Sequence, residues 1–242
     1  MGLNVLKDCK FYLGGYNLSG GMNKLEIKTS NAKLKATTFG ANTQHYNPGL
    51  KEVQASHAGF VTLGTDEIDD VLNTAWGAVD QIMTACAQTG AAGETAESFK
   101  GLMAQYVPSG QVGELFGFVV EASASDSNMV RATICETGAK TSTANGTSRQ
   151  LGAVTATQKI YCIQHVIAVS GTNPTLDTII ASDDDTGFAS GVTRATFAQA
   201  TARTAEWIEV SGAITDDWWR PEWTIGGTDT PTFTIVVLLA IM

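Results

Sequence analysis

The sequence predicts a mainly β protein: an amino-terminal β-barrel or sandwich with one flanking α-helix, then a jelly-roll-like β-sandwich. Three observations carry this. Apolar and polar residues alternate with period two over several short stretches, the pattern of half-buried strands. In the second half, turn signals recur roughly every 10–12 residues, as in sandwiches. Charged residues make up only 16% of the 242 residues, against about 25% in ordinary globular chains. Thr, Ser, Ala and 25 glycines fill the gap, so the surface reads as one that meets neighbours.

Taken in order, Lys10–Leu13 is a short strand and "GGYNLSGG" (14–21) is turn chemistry. Lys24–Lys28 alternates with Leu25 and Ile27 inward, and "KLKATTF" from Lys33 repeats the pattern. Lys51–Phe60 alternates again, with Val53 and Ala55 opposite Glu52, Gln54 and Ser56. Such one-sided strands suit an antiparallel sheet packed on one face. Between them lies a polar loop containing Pro48-Gly49, longer than a hairpin needs.

From Asp66 the apolar positions Ile68, Val71, Leu72, Ala75 and Trp76 follow helical spacing. Thr65 or Asp66 can cap this helix, and four acids favour its amino-terminal turn. It is expected near 66–77, ending at Gly77, while "QIMTACA" (81–87) reads equally as helix or strand. Strands follow at 98–106, 116–124 and 130–136. A polar linker is expected at 141–149, separating a domain of residues 1–140 from one of residues 150–242. The second has strands at 160–169, 176–182, 193–197, 205–210, 219–225 and 233–241. The last is apolar on both faces and so belongs at a centre or under a cover.

Charge is unevenly spread. Residues 1–51 hold seven lysines against Asp8 and Glu26, net +5; the rest holds eight bases against 22 acids, net −14. Stable nucleic-acid binding needs a basic footprint, and most of the chain opposes it. Cys9, Cys86, Cys135 and Cys162 have no metal or redox spacing and read as buried thiols in a reducing compartment. Lys7 and Lys10 flank no apolar run of signal-peptide length, and "IVVLLAIM" (235–242) is too short to span a bilayer. The expectation is a soluble protein of a cytoplasm, without a membrane anchor.

Chemistry is sparse. His45, His57 and His165 lack neighbours at ligand spacing, and neither a G-x-S-x-G elbow nor a phosphate loop is present. "SDDDTGF" (182–188) alternates Asp183, Asp185 and Gly187, but no distant acid completes a calcium loop, so it reads as an acidic hairpin tip. Strand parity puts Trp219, Pro221, Trp223 and Ile225 on a core face. That leaves Trp218 for a ligand, with Arg220 beside it. No catalytic residue, cofactor or metal is expected.

The order of four amino-terminal motifs adds a resemblance. "YNLSGGMNKLEI", "TTFG", "NPGLKEVQASHAGF" and "YVPSGQVGELFGFVVEASAS" are together similar to the major tail tube proteins of long-tailed (siphovirus-like) bacteriophages. The likeness covers roughly residues 10–136; "HAGF" departs from the family's S-G-F. It implies a tail-tube-type β domain that forms hexameric rings. These stack into a tube through which viral DNA leaves without specific binding, beside other tail proteins, in a virion made in a bacterial cytoplasm. The loop residues Phe39, Gly40, Tyr46, Pro48, Gly49 and Leu50 are then candidates for contact with the next subunit, and Lys33 and Lys35 for contact with a neighbouring ring's acids. Alternatives are a capsid decoration protein, or a displayed glycan-binding module using Trp218.

Overall fold

The computed structural model describes residues 6–40 and 42–242. In chain order its amino-terminal elements are β1 (Lys10–Leu13), β2 (Tyr16–Asn17), a 3-10 turn (Ser19–Gly21), β3 (Met22–Lys35), β4 (Tyr46–Phe60) and α1 (Ile68–Ala75). Next come β5 (Gln81–Cys86), β6 (Thr95–Ser109), β7 (Gly117–Ala124), β8 (Val130–Lys140), β9 (Ala144–Asn145) and β10 (Arg149–Gln150). The last four are β11 (Lys159–Asp183), β12 (Val192–Thr196), β13 (Thr204–Ser211) and β14 (Trp218–Ile241). The protein is mainly β, with α1 the one α-helix among the described residues.

Contacts group the chain into two compact units. The large one comprises the described residues up to Ser19, Ile82–Ser98 and Val130–Met242; the small one comprises Gly20–Gln81 and Phe99–Met129. These boundaries differ from the expected 1–140 and 150–242. The expected linker at 141–149 contains β9 and the start of β10, and both strands pair with β14.

In the large unit the strand order is β12-β11-β14-β8-β6-β5-β1-β2, with β13 also on β11. β6 enters this sheet through Thr95–Ser98. β11 and β14 pair along their whole lengths, from Ile160↔Ile241 to Asp183↔Trp218. The sequence places two strands in each. The intervening turn signals instead bend continuous strands, with register shifts at Val166/Ala168, Ser170/Thr172 and Thr172/Thr175. Gly171 (φ +108°) and Gly227 (φ +116°) sit at these bends, where a Cβ would come within 2.8 Å of Pro231 and Asn173 backbone atoms.

The last half of β14 is a central strand between β11 and β8, and its two faces enter different core clusters, which explains why both are apolar. Phe233, Ile235, Val237 and Leu239 enter one core cluster with Trp219, Trp223 and Leu176. Val236, Leu238 and Ala240 enter another with Tyr12, Ile134 and Ile163. The parity reading of the tryptophans holds: Trp219 and Trp223 are buried, and their indole N–H groups donate to Gly152 O and Ser142 O, each at 2.9 Å.

In the small unit the antiparallel order is β3-β4-β7-β6. Val53, Ala55 and His57 of β4 are buried, as the alternation requires, together with Phe118, Val120 and Ala122 of β7. α1 buries Ile68, Val71, Leu72 and Ala75. It is shorter than expected and capped otherwise. Asp66 is left-handed (φ +62°) and donates its N–H to the Asp70 carboxylate, while Thr62 Oγ1 accepts the Ile68 N–H. Gly77 (φ +76°) follows the helix end, and "QIMTACA" is strand, forming β5.

Candidate assembly surface

β3 has no buried residue along its 14 positions. β4 pairs with β7 only from Gln54 to Phe60, so β3 and the first half of β4 form a two-stranded ribbon. From Tyr46 to Phe60, β4 measures about 45 Å at the usual rise per residue. The alternation reads correctly where β4 buries Val53, Ala55 and His57 on one face and fails where both faces meet solvent.

One irregularity decides which side chains share a face. Pairing runs Asn31↔Lys51 and then Lys33↔Pro48, so β4 carries one more residue than β3 in this interval. That bulge lies at Gly49–Leu50, opposite Ala32. A Cβ on Gly49 would meet Ala32 Cβ at 2.9 Å. Residues paired directly lie on one face; thus Lys33, Lys35, Tyr46 and Pro48 share a face, and the bulge adds Lys51 to it. Leu34 and Asn47 occupy the other. Pro48-Gly49 is not in the expected loop. It lies within β4, where proline and glycine mark an edge or bulge, and that rule was the available signal.

The connection from Ala36 to His45 is closed by Ala36 N–H to His45 O at 2.9 Å and His45 N–H to Thr37 Oγ1 at 3.0 Å. Phe39 is fully exposed, Leu50 is 86% exposed, and Leu34 and Tyr46 are about half exposed. Gly40 has left-handed backbone (φ +84°). The expected loop residues therefore fall in two groups: Phe39 and Gly40 at the tip, and Tyr46, Pro48, Gly49 and Leu50 on the ribbon with Lys33 and Lys35. Ala41 lies outside the described residues. Lys51, not singled out from sequence as a contact residue, lies on the face of Lys33 and Lys35, and Leu34 lies on the ribbon's other face.

The other candidates lie apart from it. Trp218 is half-buried at the start of β14, paired with Asp183 and Gln150. Arg220 does not stack on it: its guanidinium is 4.0 Å from the Phe188 ring centroid and bonded to Glu222 at 2.8 Å. In the acidic tip, Asp183 accepts bonds from Asp184 N–H and from Ser190 N–H and Oγ–H. Among the described residues no His, Cys, Asp and Glu group could hold a metal.

His165 is fully buried. Gly14 O, 2.7 Å from Nδ1, can only accept, so Nδ1 carries the proton and Nε2 accepts from Thr84 Oγ1 at 2.8 Å. Thr84 in turn accepts from Ser98 at 2.8 Å. Burial lowers His165 and His57 each to about 4, so both are neutral near pH 7. This chain of hydrogen bonds lies inside the large unit and ties the turn after β1 to β5, β6 and β11. All four cysteines are free, and only Cys9 is partly exposed.

No family model and no curated protein matches the sequence. Among solved structures, a chain of the virion of a native gene transfer agent particle aligns over 53% of this chain and 98% of its own, at 10% identity and TM-score 0.44. A chain of the sheath-tube complex of the extracellular contractile injection system PVC aligns over 54% and 92%, at 14% identity and TM-score 0.42. The Dit protein of phage SPP1, described as a hub adsorption apparatus protein, aligns over 98% and 100%, at 10% identity and TM-score 0.39.

Proposed function

We propose that the chain is a structural, non-enzymatic subunit of a phage virion tail, forming hexameric rings that stack into the tube through which DNA is ejected. The observation that carries this reading is the β3–β4 ribbon. Among the described residues its outer strand of 14 residues is paired along one edge only, its two faces meet solvent, and Phe39, Tyr46 and Leu50 point toward solvent. A two-stranded hairpin is marginal by itself in water, and a long free edge is a template for another strand. Both needs are met when copies of the chain associate, with closed symmetry around a ring and open symmetry along a stack. Tail proteins at the ends of the tube are the further partners.

The charge balance supports a DNA conduit without DNA binding. A surface with a −14 share of charge releases few counterions to phosphate, so a duplex slides past it. The test is negative-stain electron microscopy and sedimentation of the purified full chain. Wild-type protein is expected to give six-fold rings or tubes, and the combined Phe39→Ala, Tyr46→Ala and Leu50→Ala variant to give folded monomers. A monodisperse wild-type monomer at every concentration would sink the proposal.

A further inference from the structure

We propose that Cys9 and Cys86 are a redox-sensitive thiol pair that closes, on oxidation, to a disulfide stapling β1 to β5. Lys10 is the direct partner of Cys86 in the β1–β5 ladder, and Cys9 stands one residue before it, outside the strand. The hydrogen bonds around β1 show which way the Cys9 sulfur leans. Phe11 N–H donates to Ser19 Oγ, and Phe11 O accepts from Leu18 N–H, so the polar groups of Phe11 point away from β5. Those of its neighbours Lys10 and Tyr12 therefore point toward β5. Cys9 Sγ lies 3.8 Å from Lys10 O, which puts the thiol on the β5 side. Directly paired Cα atoms of this kind are about 5.5 Å apart, and one residue along a strand adds about 3.4 Å of offset. The Cys9 and Cys86 Cα atoms are then about 6.5 Å apart, inside the span of a disulfide.

Cys86 is fixed from its own side. Its thiol donates toward Glu94 Oε2 at 3.6 Å and Thr95 O at 3.4 Å. Glu94 in turn accepts from Thr89 Oγ1–H and from the N–H groups of Gly90 and Ala91, so its carboxylate folds the turn between β5 and β6 around the sulfur. Burial raises both thiols, and the nearness of Cys86 raises Cys9 further. Cys135 and Cys162 do not compete, because both are buried in the Trp219 core cluster.

Cys9, the partly exposed thiol, meets the oxidant, a low-molecular-weight disulfide. Its thiolate bonds to one sulfur of that molecule and expels the other half as a thiol. Cys86 then attacks the Cys9 sulfur and expels the second half. Two protein thiols are oxidised, one external disulfide is reduced, and the two protein protons leave on the released thiols.

The chain leaves the large unit after Ser19 and returns to it at Ile82. A Cys9–Cys86 bond clasps the outgoing and returning strands and closes the base of the 20–81 insertion covalently. Bridging so long a loop stabilises mainly by restricting the unfolded chain. The bond is absent in a reducing cytoplasm and forms outside it. Under the virion reading, subunits assemble as thiols and are stapled after release; that timing rests on the reading, and the thiol pair does not.

The test incubates the full chain with oxidised glutathione or with dithiothreitol under mildly alkaline conditions, then maps peptides without reduction. Expected are the loss of two of the four free thiols and a crosslinked pair of peptides containing Cys9 and Cys86. The melting temperature should rise about 5–10 °C above that of the reduced chain and fall back on adding dithiothreitol. Cys9→Ser, at a partly exposed position, should fold and lose both the crosslink and the shift. Glutathione retained on Cys9 without the crosslink, a Cys9–Cys9 dimer between chains, or a crosslink with no rise in melting temperature overturns the staple. Each result is read on dispersed chain, whether or not rings or tubes form, so the staple and the tube stand or fall separately.

Discussion

Two long antiparallel pairs, β11–β14 and β3–β4, have the same local geometry and opposite surroundings. The last half of β14 is buried on both faces between β11 and β8, whereas β3 buries nothing on either. The first pair is completed inside the chain. Among the described residues the second has no partner within its unit for its outer edge, and its exposed side chains include Leu34, Tyr46 and Leu50 among lysines and other polar groups. Equal secondary structure thus conceals a division between a self-sufficient core and a surface built for another copy.

The largest expected effect lies on the core side. Leu238→Ala should cost about 2–5 kcal/mol in urea unfolding, as for other buried leucines. Leu50→Ala on the ribbon should stay within about 0.5 kcal/mol yet reduce assembly by sedimentation. Comparable stability losses at both sites would erase the contrast.

Next comes pH, which tests the core alone. His57 and His165 are held neutral by burial, their pKa values lowered from 6.5 to about 4. Between those values the unfolded chain binds protons that the folded chain does not. Their stabilising contribution is therefore complete above about pH 6.5 and is lost as pH falls toward 4, by up to about 3 kcal/mol for each histidine. Melting temperature against pH should show this slope, and His165→Gln should reduce it by about half while costing about 1–3 kcal/mol through the broken Gly14 and Thr84 bonds. An unchanged slope in His165→Gln would show that this histidine is not the titrating group.

The smallest effect is on the ribbon's charges. Lys33→Glu with Lys35→Glu should leave folding unchanged, within about 0.5 kcal/mol, but slow assembly in a way that added salt masks. Assembly that responds neither to reversal nor to salt would confine the ribbon's role to its apolar side chains.

These differences also set what the sequence made legible. Strands covered on one face, such as β4 from Val53 onward, and those covered on both, such as the end of β14, write their burial directly into the apolar pattern. Trp219 and Trp223 followed from parity for the same reason. Where the chain is exposed on both faces, no apolar pattern exists to read: β3 looked like two short strands, and Tyr46–Leu50 like a loop. The turn signals at Gly171 and Gly227 were real but bent strands instead of ending them, because β11 and β14 pair across the bends. The face shared by Lys51 and Tyr46 depends on a bulge, which Pro48-Gly49 hinted at and simple alternation denied.

The most direct measurement is amide hydrogen exchange on two peptides, residues 29–52 of the ribbon and residues 233–241 of β14, in dispersed and in assembled protein. The account predicts that the β14 peptide is protected in both states. The ribbon should exchange freely when dispersed and become protected on assembly. A ribbon already protected in the dispersed chain, or still unprotected in the assembly, would contradict the claim that its partner is another copy of the chain.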